Sequence, residues 1–204
     1  MIAVVIPNKV GGIAQWNISY LYNSSHYLSE ESVVILLSCQ EQYSNWLNPR
    51  QYSGLRVVDF SYSNYENQYL VKKRLIKILE KFKLIVSNDD FELSAISIME
   101  KRPIVIANIA DWFNLSYVFT YCKFIDRYIT LSPQMQDVIN SSGIGEVAKY
   151  LNHGVLIQNF KSQLNKVSEQ ITLVFLGRLV TSKGCLELIE IDNALKRSNY
   201  DVFW

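Results

Sequence analysis

Arg178 and Lys183 are the two side chains best placed for chemistry, in the stretch ITLVFLGRLVTSKG at residues 171–184. The apolar run Leu173, Val174, Phe175, Leu176 ends on Gly177 and carries the pattern of a buried strand. Thr181 and Ser182 are helix-capping types, so a helix is expected to open near Lys183 and Gly184. Strand, short loop and helix start bring one guanidinium and one ammonium to the carboxyl end of a strand. In an open α/β sheet that end is where ligands bind. Two cations beside free helix N–H groups fit a doubly charged phosphate group. On these residues alone the alternative is an ordinary surface Arg and Lys on a β–α connection.

A second loop of interest joins a strand-like Ile2–Ile6 to a helical spacing over residues 13–22 (Ile13, Trp16, Ile18, Leu21). Within it, Gly11 and Gly12 remove two side chains where the loop turns into a helix, so backbone N–H groups can approach an anion or a sugar hydroxyl. A pair needed only for a tight turn is the competing explanation. No G-x-G-x-x-G is present, and Glu30 and Glu31 precede the second strand, so neither serves as a ribose-binding acid. Asn88, Asp89 and Asp90 follow the fourth strand signal, and Asn108, Asp111 and Trp112 follow the fifth. Their position past strand ends makes them crevice candidates, although each is also a good turn or cap former. Asp111, directly before a helical run, reads most clearly as a cap. His153 lies at the exit of a last strand.

The elements that must position these residues alternate. Strand signals recur at Val33–Leu37, Leu55–Phe60, Leu84–Val86, Ile104–Ala107 and Tyr128–Leu131, with a last one at Val147–Leu151. Helical patterns fall between most of them: about 65–82, Glu92–Glu100, Trp112–Phe124, and a helix begun by Ser132 and Pro133 and ended by Gly143. This is the β-α-β pattern of an α/β, Rossmann-like, doubly wound parallel sheet. From Leu156 to Gln170 the chain turns polar, as at a domain boundary. The expected organisation is a first domain over 1–156, a linker over 157–170 and the start of a second α/β domain over 171–204. That last stretch is too short to bury a sheet of its own.

Of 204 residues, 49% are hydrophobic and 19% charged, which suits a globular core. A net charge of +1 gives no reason to expect nucleic acid as a partner. Cys39, Cys122 and Cys185 lie far apart, and only His26 and His153 are present, so neither a disulfide framework nor a metal site is expected. The expected compartment is a reducing cytoplasm, with no basic leader before MIAVVIP and no uncharged apolar run near ~18–20 residues. The helix within 65–83 is the most basic element, carrying Lys72, Lys73, Arg74, Lys77, Lys81 and Lys83. A solvated outer face explains it. Peripheral attraction to an anionic membrane, worth ~1 kcal/mol per basic residue near lipid, is the alternative.

Five stretches in order carry a resemblance: PNKVGGIAQW, LIVSND, YITLSPQMQDVINSSG, LNHGVLIQNF and VFLGRLVTSKGCLELIE. The G-R-L-x-x-x-K-G segment, placed just after H-G-V-x-x-x-x-F, is the most specific. Together they resemble the amino-terminal half of a two-domain GT-B-fold glycosyltransferase of the retaining group numbered family four. The resemblance implies transfer of a sugar from a nucleotide-sugar to a glycan or lipid-linked acceptor, as in cell-surface polysaccharide or lipopolysaccharide synthesis. It implies that Arg178 and Lys183, with Gly177, hold the donor diphosphate. Gly11 and Gly12 would line the cleft, joined by Asn88, Asp111 and His153 as acceptor- or phosphate-side candidates. No metal or other cofactor is implied.

That family grips the donor sugar with an E-x7-E pair in its second domain. The one pair here with that spacing, Glu92 and Glu100, falls in the first domain and reads as chance. This polypeptide alone is therefore expected to bind nucleotide sugar weakly or not at all and to lack turnover. Two alternatives stand beside the transferase: a non-catalytic subunit associating with a partner chain that completes the second domain, and a nucleotide-sugar epimerase of the same fold.

Overall fold

The computed structural model describes residues 1–8, 16–18, 21, 31–41, 55–144, 148–151 and 181–198. Seven strands form one all-parallel sheet: β1 (Ile2–Pro7), β2 (Ser32–Cys39), β3 (Arg56–Tyr62), β4 (Leu84–Ser87), β5 (Ile104–Ile109), β6 (Arg127–Thr130) and the two-residue β7 (Lys149–Tyr150). Their spatial order is β3-β2-β1-β4-β5-β6-β7. The chain thus starts in the middle, builds outward to β3, then returns to β1's other side and builds the opposite way. The fold is the Rossmann-like α/β architecture that the alternating pattern implies.

Side-chain alternation sorts the strand residues onto two faces. One set (Ala3, Val5, Val33, Ile35, Leu37, Ile85, Val105, Ala107, Ile109 and Tyr128) packs against four helices. These are α1 (Gln68–Leu79), α2 (Asp90–Ile96), α3 (Asn114–Tyr121) and α4 (Pro133–Ser142). Helix α1 commits Val71, Leu75, Ile76 and Leu79 to this core. The other set (Val4, Ile6, Val34 and Leu36) packs against Ile18 and Leu21 on the opposite face. With apolar residues on both faces, β1 and β2 read as continuous hydrophobic runs.

Element ends differ from the sequence expectation where a side chain competes for the backbone. Helix α1 starts at Gln68 and not near 65, because the Asn67 carboxamide accepts from the N–H groups of Tyr69 and Leu70. Helix α2 runs Asp90–Ile96 and not Glu92–Glu100, because Asp89 and Glu92 form a capping box at its start. Helix α4 behaves as expected, with Ser132 capping the Met135 N–H, Pro133 in the first turn and Gly143 at φ 69° closing it.

The chain divides into two compact units, Met1–Gln158 and Asn159–Trp204. The sheet belongs to the first. In the second, Thr181–Lys183 form a single 3-10 turn and α5 spans Glu187–Arg197. The N-cap position of α5 is thus Leu186, later in the chain than the expected Thr181 and Ser182. Gly184 at φ 75° intervenes, a left-handed conformation that ends the turn before α5 can begin. The expected linker (157–170) and the strand at 171–176 lie outside the described residues.

Candidate ligand crevice at the strand switch

Strand order reverses between β1 and β4, and in open α/β sheets the carboxyl ends of the strands at such a switch are where ligands bind. The first residue past each of these strands is an asparagine: Asn8 after β1 and Asn88 after β4. Asn88 sits at the centre of a buried amide network. Its Nδ2 donates to the Val5 carbonyl at 2.7 Å, tying β4's end to β1. Its Oδ1 accepts from Asn17 Nδ2 at 2.9 Å and from Asn108 Nδ2 at 2.7 Å. Its carbonyl accepts from the Tyr117 hydroxyl of α3 at 3.2 Å, and burial drives that phenol's pKa far above its ordinary range.

A second chain of hydrogen bonds crosses β1, β2 and β3. Asn8 Nδ2 donates to Ser38 Oγ at 3.0 Å, and Ser38 Oγ donates to Asp59 Oδ1 at 2.7 Å. Alternation puts Ser38, Asp59 and Asn108 on the sheet face of Val34 and Leu36, away from the four helices. Two buried amide oxygens on this face have no hydrogen-bond partner, Asn8 Oδ1 and Asn108 Oδ1.

Glu92 is fully buried on the helix-bearing side. Its Oε1 accepts from the Asn88 N–H at 2.6 Å, the Asp89 N–H at 2.7 Å and Ser87 Oγ at 3.1 Å. Three donors favour the carboxylate, but burial and then the neighbouring Asp89 charge outweigh them and push its pKa up to about 8. At neutral pH this carboxyl is mostly protonated and works as a structural clamp on the β4–α2 turn. Glu100 is exposed beyond the end of α2, so the two glutamates are not a sugar grip. Asp111 also has a structural task, because its carboxylate accepts from the Asn114 N–H at 3.0 Å while Asn114 Oδ1 accepts from the Asp111 N–H at 2.9 Å. This reciprocal pair leaves Trp112 and Phe113 exposed on a fixed turn just past β5.

Of the residues singled out in the sequence, Asn88 and Asn108 meet directly. Lys183 ends the 3-10 turn of the second unit with an exposed side chain. Arg178, Gly177, Gly11, Gly12 and His153 lie outside the described residues. Asn8, Asn17, Ser38, Asp59 and Tyr117 were not singled out. Asn17 carried the clearest missed signal, a carboxamide inside an otherwise apolar run with Trp16, Ile18 and Leu21. Among the described residues, no three His, Cys, Asp or Glu side chains come together as a metal site, and no helix is long and apolar enough to cross a membrane. No family model matches this chain, and no curated protein matches it either.

Proposed function

We propose that this chain is part of a family-four-like, GT-B-type retaining glycosyltransferase. On this reading the parallel sheet is the acceptor-side domain, and Arg178 and Lys183 hold the diphosphate of a nucleotide-sugar donor. The observation that carries the proposal is the buried amide network centred on Asn88, at the β1/β4 switch where open α/β sheets bind ligands. Carboxamides and hydroxyls are the groups that recognise sugar hydroxyls, and this rim is built from Asn8, Asn17, Ser38, Asn88 and Asn108.

The chemistry asks little of general acids or metals. Breaking the sugar–phosphate bond puts negative charge on the departing diphosphate, and fixed cations aimed at it stabilise that charge as it develops. Losing one such donor costs about 2.7–4 kcal/mol of barrier, by analogy with oxyanion sites. Any rise in melting temperature that UDP or GDP produces is expected to be lost in Arg178→Ala and Lys183→Ala. A thermal shift unchanged by both substitutions would remove the donor-site assignment. Peripheral membrane contact through the basic helix belongs to the same proposal, as the route to a lipid-linked acceptor.

A further inference from the structure

The two carboxyl oxygens of the fully buried Glu92 have opposite surroundings. Oε1 gathers three donors, the N–H groups of Asn88 and Asp89 and the Ser87 hydroxyl. Oε2 is buried and has no hydrogen-bond partner. A charge shared onto Oε2 has nothing to offset it, and an unpaired buried charge costs far more than an unpaired buried hydroxyl. The neighbouring charged and titratable groups do not supply the offset. The Asp89 carboxylate caps α2 three positions earlier, and Asp90 stands in the first turn. From α3, Tyr117 donates to the Asn88 carbonyl, and Asp111 accepts from the Asn114 N–H. From β3, Tyr62 stacks on Phe91 at 4.6 Å, and burial raises its phenol to about 12. On α1, Lys73 lies over the Tyr69 ring, Arg74 pairs with Glu66 and Lys77 is exposed.

We propose that the β4–α2 turn is a proton-operated latch, closed while Glu92 is protonated and opening locally as the pH rises, with the sheet still folded. Opening frees the N–H groups of Asn88 and Asp89 and removes the Glu92 half of the capping box. Helix α2 has seven residues, too few to persist on its own backbone bonds, so it depends on that cap and on packing. Opening also wets the carboxyl and returns it to its ordinary 4.5, against about 8 when closed. The open form therefore gives up a proton that the closed form keeps. Its population rises about tenfold per pH unit between those two values and levels off above the upper one. The latch lies at the carboxyl end of β4, beside the β1/β4 switch, and works whatever binds there.

Native-state hydrogen exchange of the full chain between pH 5 and 9 tests the latch, each amide rate being divided by its intrinsic rate at that pH. The amides of Asn88, Asp89 and Ser97 should exchange through a smaller opening than those of Val34 and Ile35 in β2. Their protection should fall about tenfold per pH unit up to about pH 8 and then level off. The carboxyl 13C signal of Glu92 should titrate near pH 8 in the same sample. Glu92→Gln should remove the slope. Asp89→Asn keeps a capping oxygen while deleting the neighbouring charge, and should bring the levelling-off to lower pH; it serves as the variant should Glu92→Gln fail to fold. Protection at the turn equal to that of β2 would mean that only global unfolding opens it, which overturns the latch. A turn whose protection does not change with pH overturns it too, as does a slope that survives in Glu92→Gln or a Glu92 signal titrating below about pH 6.

Discussion

Glu92 shows how one carboxyl can be held neutral by its surroundings and still serve the backbone. Its folded pKa of about 8 lies above the ordinary value of 4.5, so the folded protein keeps a proton that the unfolded chain releases. Stability from this group is present below about pH 4.5 and is lost as pH rises toward 8. Glu92→Gln retains an oxygen for the three donors and removes the titration. Melting temperatures between pH 5 and 9 should fall with pH in the parent and flatten in the variant; parallel slopes would refute the assignment. Asn88 is the other residue on which much depends. Asn88→Ala strands the Val5 carbonyl and one donor each on Asn17 and Asn108, and should cost about 3 kcal/mol as a shift of the urea midpoint at unchanged slope. Position past a strand end was enough to mark Asn88 and Asn108 in the sequence. Their bonding was not legible, because Asn17 reaches Asn88 from 71 residues away along the chain and Asn108 from 20.

At the scale of elements, sequence pattern located every strand now seen and all five numbered helices, while several of their ends were set by individual side chains. Helix α1 is the clearest case. Its apolar stripe was plain, but the Asn67 cap moved its start, and Asn67→Ala should cost about 1 kcal/mol. Leu75→Ala, by contrast, opens a cavity in the main core and should cost 2–5 kcal/mol, roughly. Both are read from chemical denaturation. On α1's outer side Lys77 is exposed, as are Lys81 and Lys83 just beyond its end, and none of the three takes part in an ion pair among the described residues. Tyr65, Tyr69 and Leu70 are also exposed at the other end of the same element. Replacing all three lysines by glutamate should abolish co-sedimentation with phosphatidylglycerol vesicles if α1 touches a membrane. Unchanged or absent sedimentation of the parent would leave α1 as a solvated face.

At the scale of the whole molecule, the alternation of strands and helices dictated a parallel sheet but not the position of its turning point. Strand order depends on which long-range pairings are formed, and Ile2 and Leu84 are brought together by no local pattern. The consequence is mechanical. Strands β1 to β3 form one run of sequential neighbours and β4 to β7 another, and β1 and β4 join them through three register pairs, Ile2 with Leu84, Ala3 with Ile85 and Val4 with Val86. Cooperative opening units of a domain often coincide with its supersecondary motifs, at free energies below that of global unfolding. Native-state hydrogen exchange should therefore resolve β1–β3 and β4–β7 as two protected blocks, with the edge strands β3 and β7 opening before the buried pair β1 and β4. Asn88, bonded across the seam to Val5 and Asn17, is its clasp, so the residue that organises the crevice also sets how readily the two halves of the sheet part.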